Sequence, residues 1–138
     1  MLVVSACVFS WQSHAFGNMT ATEVTALFSG NTVEGERREG GVPGIDAPNK
    51  VEVYATEFIA YFDNDGTVKK KAGGKKKRGV WRVTGKGDLC IKWGERKEKC
   101  APVYKDGEAY KRVVKRRSGF VLFELTYIRF TPGNEHGM

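Results

Sequence analysis

The most concentrated chemistry in this sequence is cationic. Seven of the ten residues from Lys69 to Arg78 are basic: Lys69, Lys70, Lys71, Lys75, Lys76, Lys77 and Arg78. These seven equal the whole net charge of +7, so the excess is local. Lys111, Arg112, Lys115, Arg116 and Arg117 form a second group. Such clusters attract polyanions, here anionic lipid headgroups, lipopolysaccharide or an acidic protein. The blander reading is a set of solvated turns that protect a sheet edge from aggregation. The seven cations of the first stretch, with Lys115, Arg116 and Arg117, are the candidate anion-binding residues. Nucleic acid fits less well, because no aromatics are interleaved among the cations for base stacking.

The other reactive side chains are few. His14 and His136 are the only histidines, and both lie near a terminus. Neither is placed to form a Ser–His or Cys–His pair. No Gly-x-Ser-x-Gly elbow, Walker loop or His-rich metal motif occurs. Asp63-Asn64-Asp65-Gly66 resembles the start of a calcium loop, but its twelfth position is Gly74 rather than Glu, so it reads as a turn. No metal or cofactor is expected. Glu57 and Glu124 sit in otherwise apolar strands, which leaves open a carboxylate-based reaction inside the fold. The competing expectation has them facing solvent or paired with Arg82 or Arg129.

Cys90 and Cys100 are ten residues apart. With Gly94 to Arg96 as a three-residue turn, Trp93 faces Lys97, Lys92 faces Glu98, and Cys90 faces Cys100. That register predicts a disulfide across one hairpin, on the outer side of the sheet. A zinc site lacks further ligands, since no other Cys and no His lies nearby.

The elements that must position these residues are mostly strands. Seventeen Gly and 12% aromatic residues favour short strands joined by turns. Thr20-Ala21-Thr22-Glu23 is a capping box that opens a helix over Ala21 to Phe28, expected to pack or plug. Strands follow at Thr32–Arg38, Val51–Phe62, Thr67–Lys71, Arg78–Thr84, Leu89–Trp93, Lys97–Tyr104, Glu108–Val114 and Phe120–Phe130. Gly40 to Asn49 reads as a long loop. Period-two alternation groups Tyr54, Thr56, Phe58, Ala60 and Phe62 on one face, Trp81 and Val83 on another, and Val121, Phe123, Leu125 and Tyr127 on a third. The expected fold is mainly β: a small antiparallel up-and-down barrel of about eight strands with one short N-terminal helix. Trp81, Trp93, Phe58, Phe123 and Tyr127 are its candidate interior residues. Eight strands enclose a space that side chains just fill, or that holds one small ligand.

The first eleven residues, Met1 to Trp11, are uncharged and mostly apolar. Ser13 and Ala15 then supply small residues for cleavage after Ala15, so residues 1–15 read as a signal peptide and 16–138 as one barrel domain. Val4-Ser5-Ala6-Cys7 resembles a lipoprotein box, with lipid on Cys7 if the true start lies upstream. No run of apolar residues is long enough for a transmembrane helix. The expected location is periplasmic or secreted, and the remaining pair of Cys suits an oxidising compartment.

Gly79-Val80-Trp81-Arg82-Val83, Gly85, Leu89-Cys90-Ile91-Lys92-Trp93 and Cys100 carry a resemblance, together with Met19 to Glu23 and Leu27 to Thr32. They resemble a family of small exported bacterial proteins of unknown function with lipocalin-like or streptavidin-like barrels. The resemblance spans roughly Met19 to Asn134 and implies an exported barrel with a disulfide. It implies no activity or ligand. The lysine-rich hairpin and the Gly40–Asn49 loop depart from it. The expected function is an exported, non-enzymatic binding protein. It would hold either a small apolar ligand in the barrel or an anionic surface on the basic hairpins; the alternative is a carboxylate-based enzyme.

Overall fold

A computed structural model describes residues 17–40 and 53–138. The signal peptide, the lipoprotein box with Cys7, His14 and the Gly40–Asn49 loop lie almost wholly outside the described residues, as does the Tyr54 side chain.

Helix α1 spans Ala21–Phe28. Its capping box forms as expected: Glu23 N donates to Thr20 Oγ1 at 3.2 Å, and Thr20 N donates to Glu23 Oε1 at 3.1 Å. Eight antiparallel strands follow in chain order: β1 (Asn31–Gly40), β2 (Val53–Phe62), β3 (Thr67–Ala72), β4 (Lys75–Val83), β5 (Asp88–Trp93), β6 (Lys99–Asp106), β7 (Ala109–Lys115) and β8 (Val121–Pro132). Each strand pairs with its neighbours, and β8 closes on β1. Closure leaves no free sheet edge. The expected up-and-down barrel with one short helix is the observed fold.

Inward side chains build the core. Phe58, Ala60 and Phe62 of β2, Leu89 and Ile91 of β5, and Phe123, Leu125 and Tyr127 of β8 are all buried. Trp81 and Trp93 are partly buried against them. Of the five aromatic residues assigned to the interior, Phe58, Phe123 and Tyr127 lie in the core, and Trp81 and Trp93 pack against it. Phe28 of α1 is fully buried, with its ring edge-on to Phe62 at 4.9 Å, Tyr127 at 5.0 Å and Phe130 at 5.4 Å. The helix thus closes one end of the barrel.

Two bulges shift the alternation along β8. At Glu34/Gly35 the register against β1 steps past Ile128, which is exposed, and Phe130 returns to the core side. At Val114/Lys115 the register against β7 steps past Leu122. Val121 is consequently 44% exposed and does not join the Phe123 face, contrary to the simple period-two reading.

Glycine has two distinct roles here. Gly73 and Gly74, with φ of +55° and +75°, form the tight turn between β3 and β4. Gly35 faces inward, where a Cβ would lie 2.3 Å from the Thr126 carbonyl oxygen and 2.7 Å from Phe58 Cζ. The absence of a side chain there makes room for the Phe58 ring.

Candidate anion-binding site

In an up-and-down barrel, the turns after odd-numbered strands share one end. That end receives the β3–β4, β5–β6 and β7–β8 turns. The cations of the β3–β4 hairpin and Lys115 to Arg117 therefore lie at one end of the molecule, opposite the helical plug, whereas Lys111 lies towards the other end, where it meets Asp106. Alternation then divides the β3–β4 hairpin. Lys69 pairs with Arg78 and Lys71 with Lys76 on the outside. Lys70 and Lys77, also paired, follow the inward phase of Val68. Lys115, Arg116 and Arg117 are exposed around the β7–β8 turn.

Lys70 and Lys77 line a cavity of about 50 Å³ together with Arg37, Arg96, Lys97, Lys99 and Arg112. Its apolar walls include Phe58, Ile91, Trp93, Phe123, Leu125 and Tyr127. No carboxylate among the described residues lines it. A cleft of about 180 Å³, bounded by Arg37, Glu39, Lys70, Lys75 and Lys77, adjoins it. A single water needs roughly 10–15 Å³ measured this way, so the cavity has space for a few waters or one small anion.

The inner and outer cations are treated differently by the fold. On the outer face three strand cations find a carboxylate: Arg82 with Glu98 at 2.6 Å, Arg129 with Glu34 at 3.3 Å, and Lys111 with Glu124 at 2.9 Å. Inside, aromatic faces take their place. Lys70 Nζ lies 4.6 Å from the Trp93 ring centroid, and the Arg37 guanidinium lies 4.2 Å from that of Phe123. Arg37 also reaches Glu39 at the mouth, yet its Nε is buried without a hydrogen-bond partner among the described residues.

Arg112 is buried within the site, at 2% exposure. Its guanidinium donates to the Leu89 carbonyl at 3.2 Å and the Lys99 carbonyl at 2.7 Å. It has no carboxylate partner among the described residues. Beside it the Tyr127 hydroxyl is buried against the Arg112 guanidinium. Burial holds the Tyr127 phenol above its ordinary pKa, partly opposed by the Arg112 charge. Burial, then Arg37, Lys77 and Arg96, lower Lys70 to about 8. Lys77 is also lowered, by burial first and then by the charges of Arg96, Arg37 and Lys75. Buried charges are ordinarily paired. Among the described residues this end concentrates like charge, with Glu39 at the mouth as the carboxylate paired to an inner cation, an arrangement that a bound anion would relieve.

No protein-family model, curated protein or solved structure matches this chain.

The sequence-derived site residues thus separate. Lys70 and Lys77 enter the cavity, Lys75 borders the adjoining cleft, and the other candidates ring the same end from outside. Arg37, Arg96, Lys97 and Lys99 were not among the candidates. Arg112 was grouped with Lys111 by adjacency, but the strand sends them to opposite faces. The alternation Tyr110, Arg112, Val114 carries that signal. Glu57 is exposed, and Glu124 pairs with Lys111 rather than with Arg82 or Arg129. Neither carboxylate lies in the cavity, because each falls on the outward phase of its strand.

Cys90 and Cys100 face each other in the expected register and form a disulfide, with Cα atoms 4.0 Å apart. Glu98 does not pair with Lys92 as the hairpin register suggested. Arg82 takes it with both Nε and Nη2, at 2.9 and 2.6 Å, because β6 begins only at Lys99 and Glu98 swings towards β4. The pair holds the Arg82 pKa up and the Glu98 pKa down.

Proposed function

We propose that this protein is a non-enzymatic binding protein that holds a small, multiply charged anion at the cationic end of its barrel. The observation that carries this reading is Arg112: a buried guanidinium with no carboxylate partner among the described residues, at a cavity whose charged lining among those residues is entirely basic. A small apolar ligand finds little support. The cavity is about 50 Å³, and its apolar walls are already packed against one another. The carboxylate-enzyme reading lacks support too, since Glu57 and Glu124 lie outside the cavity.

Inorganic phosphate tests the proposal. A ligand that binds only the folded state stabilises it in proportion to the logarithm of its concentration above Kd. Phosphate should raise the melting temperature beyond chloride at equal ionic strength. Lys70→Gln/Lys77→Gln should lose this shift, whereas Lys71→Gln/Lys76→Gln, on the outside, should keep it. Equal shifts for phosphate and chloride, or loss with the outer pair alone, would refute an interior site.

The shared end also supports contact with an anionic surface, because Lys69, Lys71, Lys76, Arg78 and Lys115 to Arg117 all surround it. Binding to anionic vesicles should then fall steeply with salt, since exposed charges are screened within about 8 Å at physiological ionic strength. Changing the outer cations to Gln should remove it; salt-insensitive binding would count against the idea. Export is part of the proposal and is supported by the Cys90–Cys100 bridge. The protein recovered from its host should begin at Phe16, and recovery from the cytoplasm with Met1 intact would argue against export.

A further inference from the structure

The inner lysines are more than two equivalent charges. Lys70 occupies the inward phase of β3, with its Nζ stacked on Trp93 and no carboxylate partner among the described residues. Charged groups surround it from three other elements: Arg37 from β1, Lys77 from β4 and Arg96 from the β5–β6 turn. The nearby Glu39 is engaged by Arg37. An amine in an apolar setting beside other cations is the arrangement that makes lysine a nucleophile towards carbonyl carbon. The same cations would hold a carboxylate on the incoming molecule.

We propose that Lys70 forms a reversible imine with small α-oxo acids captured at the cationic end of the barrel. This rests on the anion-binding reading of the same cavity and narrows its ligand to an anion that also carries a carbonyl group. The neutral Nζ adds through its lone pair to the carbonyl carbon. One amine proton moves to the carbonyl oxygen, a second proton comes from solvent, and the oxygen leaves as water. The protonated imine retains the positive charge of the original ammonium. No oxidant, reductant or metal takes part, and addition of water reverses the step.

The lowered pKa of Lys70 makes the neutral amine available. At a value of about 8, roughly a tenth of this side chain is neutral at pH 7, against roughly 0.03% of an ordinary lysine. The cavity suits ligands of few atoms, and glyoxylate and pyruvate are the smallest of the class.

Glyoxylate with sodium cyanoborohydride tests this on the folded, full-length protein at pH 7. The reduced adduct is located by peptide mass spectrometry. Lys70 should be labelled at least roughly tenfold faster than the exposed Lys86 and Lys105, in line with its larger neutral fraction. Phosphate should slow labelling at Lys70 and leave Lys86 unchanged, and unfolding in urea should remove the preference. Labelling at Lys70 no faster than at Lys86 overturns the imine, as does preferential labelling that phosphate leaves untouched. If phosphate stabilises the fold while Lys70 stays unreactive, the imine fails and the anion site stands. If phosphate neither stabilises nor competes, both fail.

Discussion

Lys70 and Lys77 stand directly opposite each other across the β3–β4 ladder, both directed into the barrel. Like charges in that relationship oppose folding, and the neighbouring Arg37 and Arg96 add to the repulsion. The cationic end therefore costs the barrel stability.

That cost gives stability a defined pH dependence. The folded value of Lys70 is about 8, below the ordinary 10.5. Between those values the unfolded chain binds more protons than the folded one, so stability at this site rises with pH. Lys70→Met should melt higher than the parent at pH 7 in low salt, and the gap should shrink as the pH approaches 10.5. Thermal melts across this range would test it; a variant that melts lower at every pH would show that the stacking on Trp93 outweighs the repulsion.

The disulfide should contribute stability without supplying chemistry. It closes a loop of sequence separation 10, for which the chain-entropy model gives about 2–3 kcal/mol. A Cys90→Ala/Cys100→Ala double variant should lose about that much in denaturant unfolding and still give the parent's circular dichroism. An unchanged midpoint would mean that the barrel already restrains the hairpin.

Gly35 should tolerate no side chain. A methyl group there meets the Thr126 carbonyl and the Phe58 ring inside their contact radii. Gly35→Ala should cost about 1–3 kcal/mol, as overpacking of a tight core does. The control is Gly85→Ala, at a position with open space around it. Equal losses for the two would contradict the close approach.

Phe28 should be the residue that holds the plug. Phe28→Ala should lose about 3–5 kcal/mol, because three ring contacts disappear together. Hydrogen exchange should then accelerate in α1 before it does in β5. A loss under about 1 kcal/mol would show that the barrel end closes without the helix.

The sequence by itself determined the number and order of the strands, the helix and the disulfide partners, but not that β4 reaches back to Lys75. Capping chemistry at Thr20 and Glu23, turn residues and period-two alternation are local signals, and a three-residue turn counts Cys90 onto Cys100. It also located the surplus charge. Only the tertiary structure decided which cations share a space. Arg37, Lys70, Arg96 and Arg112 come from separate elements, and closure of β8 onto β1 turns one face of all eight strands into an interior. The two bulges that shift β8 are long-range as well, since they depend on its registers with β1 and β7. Adjacency along the chain groups Lys111 with Arg112, whereas the pleat separates them: one meets Glu124 at the surface, and the other is buried with no carboxylate partner among the described residues.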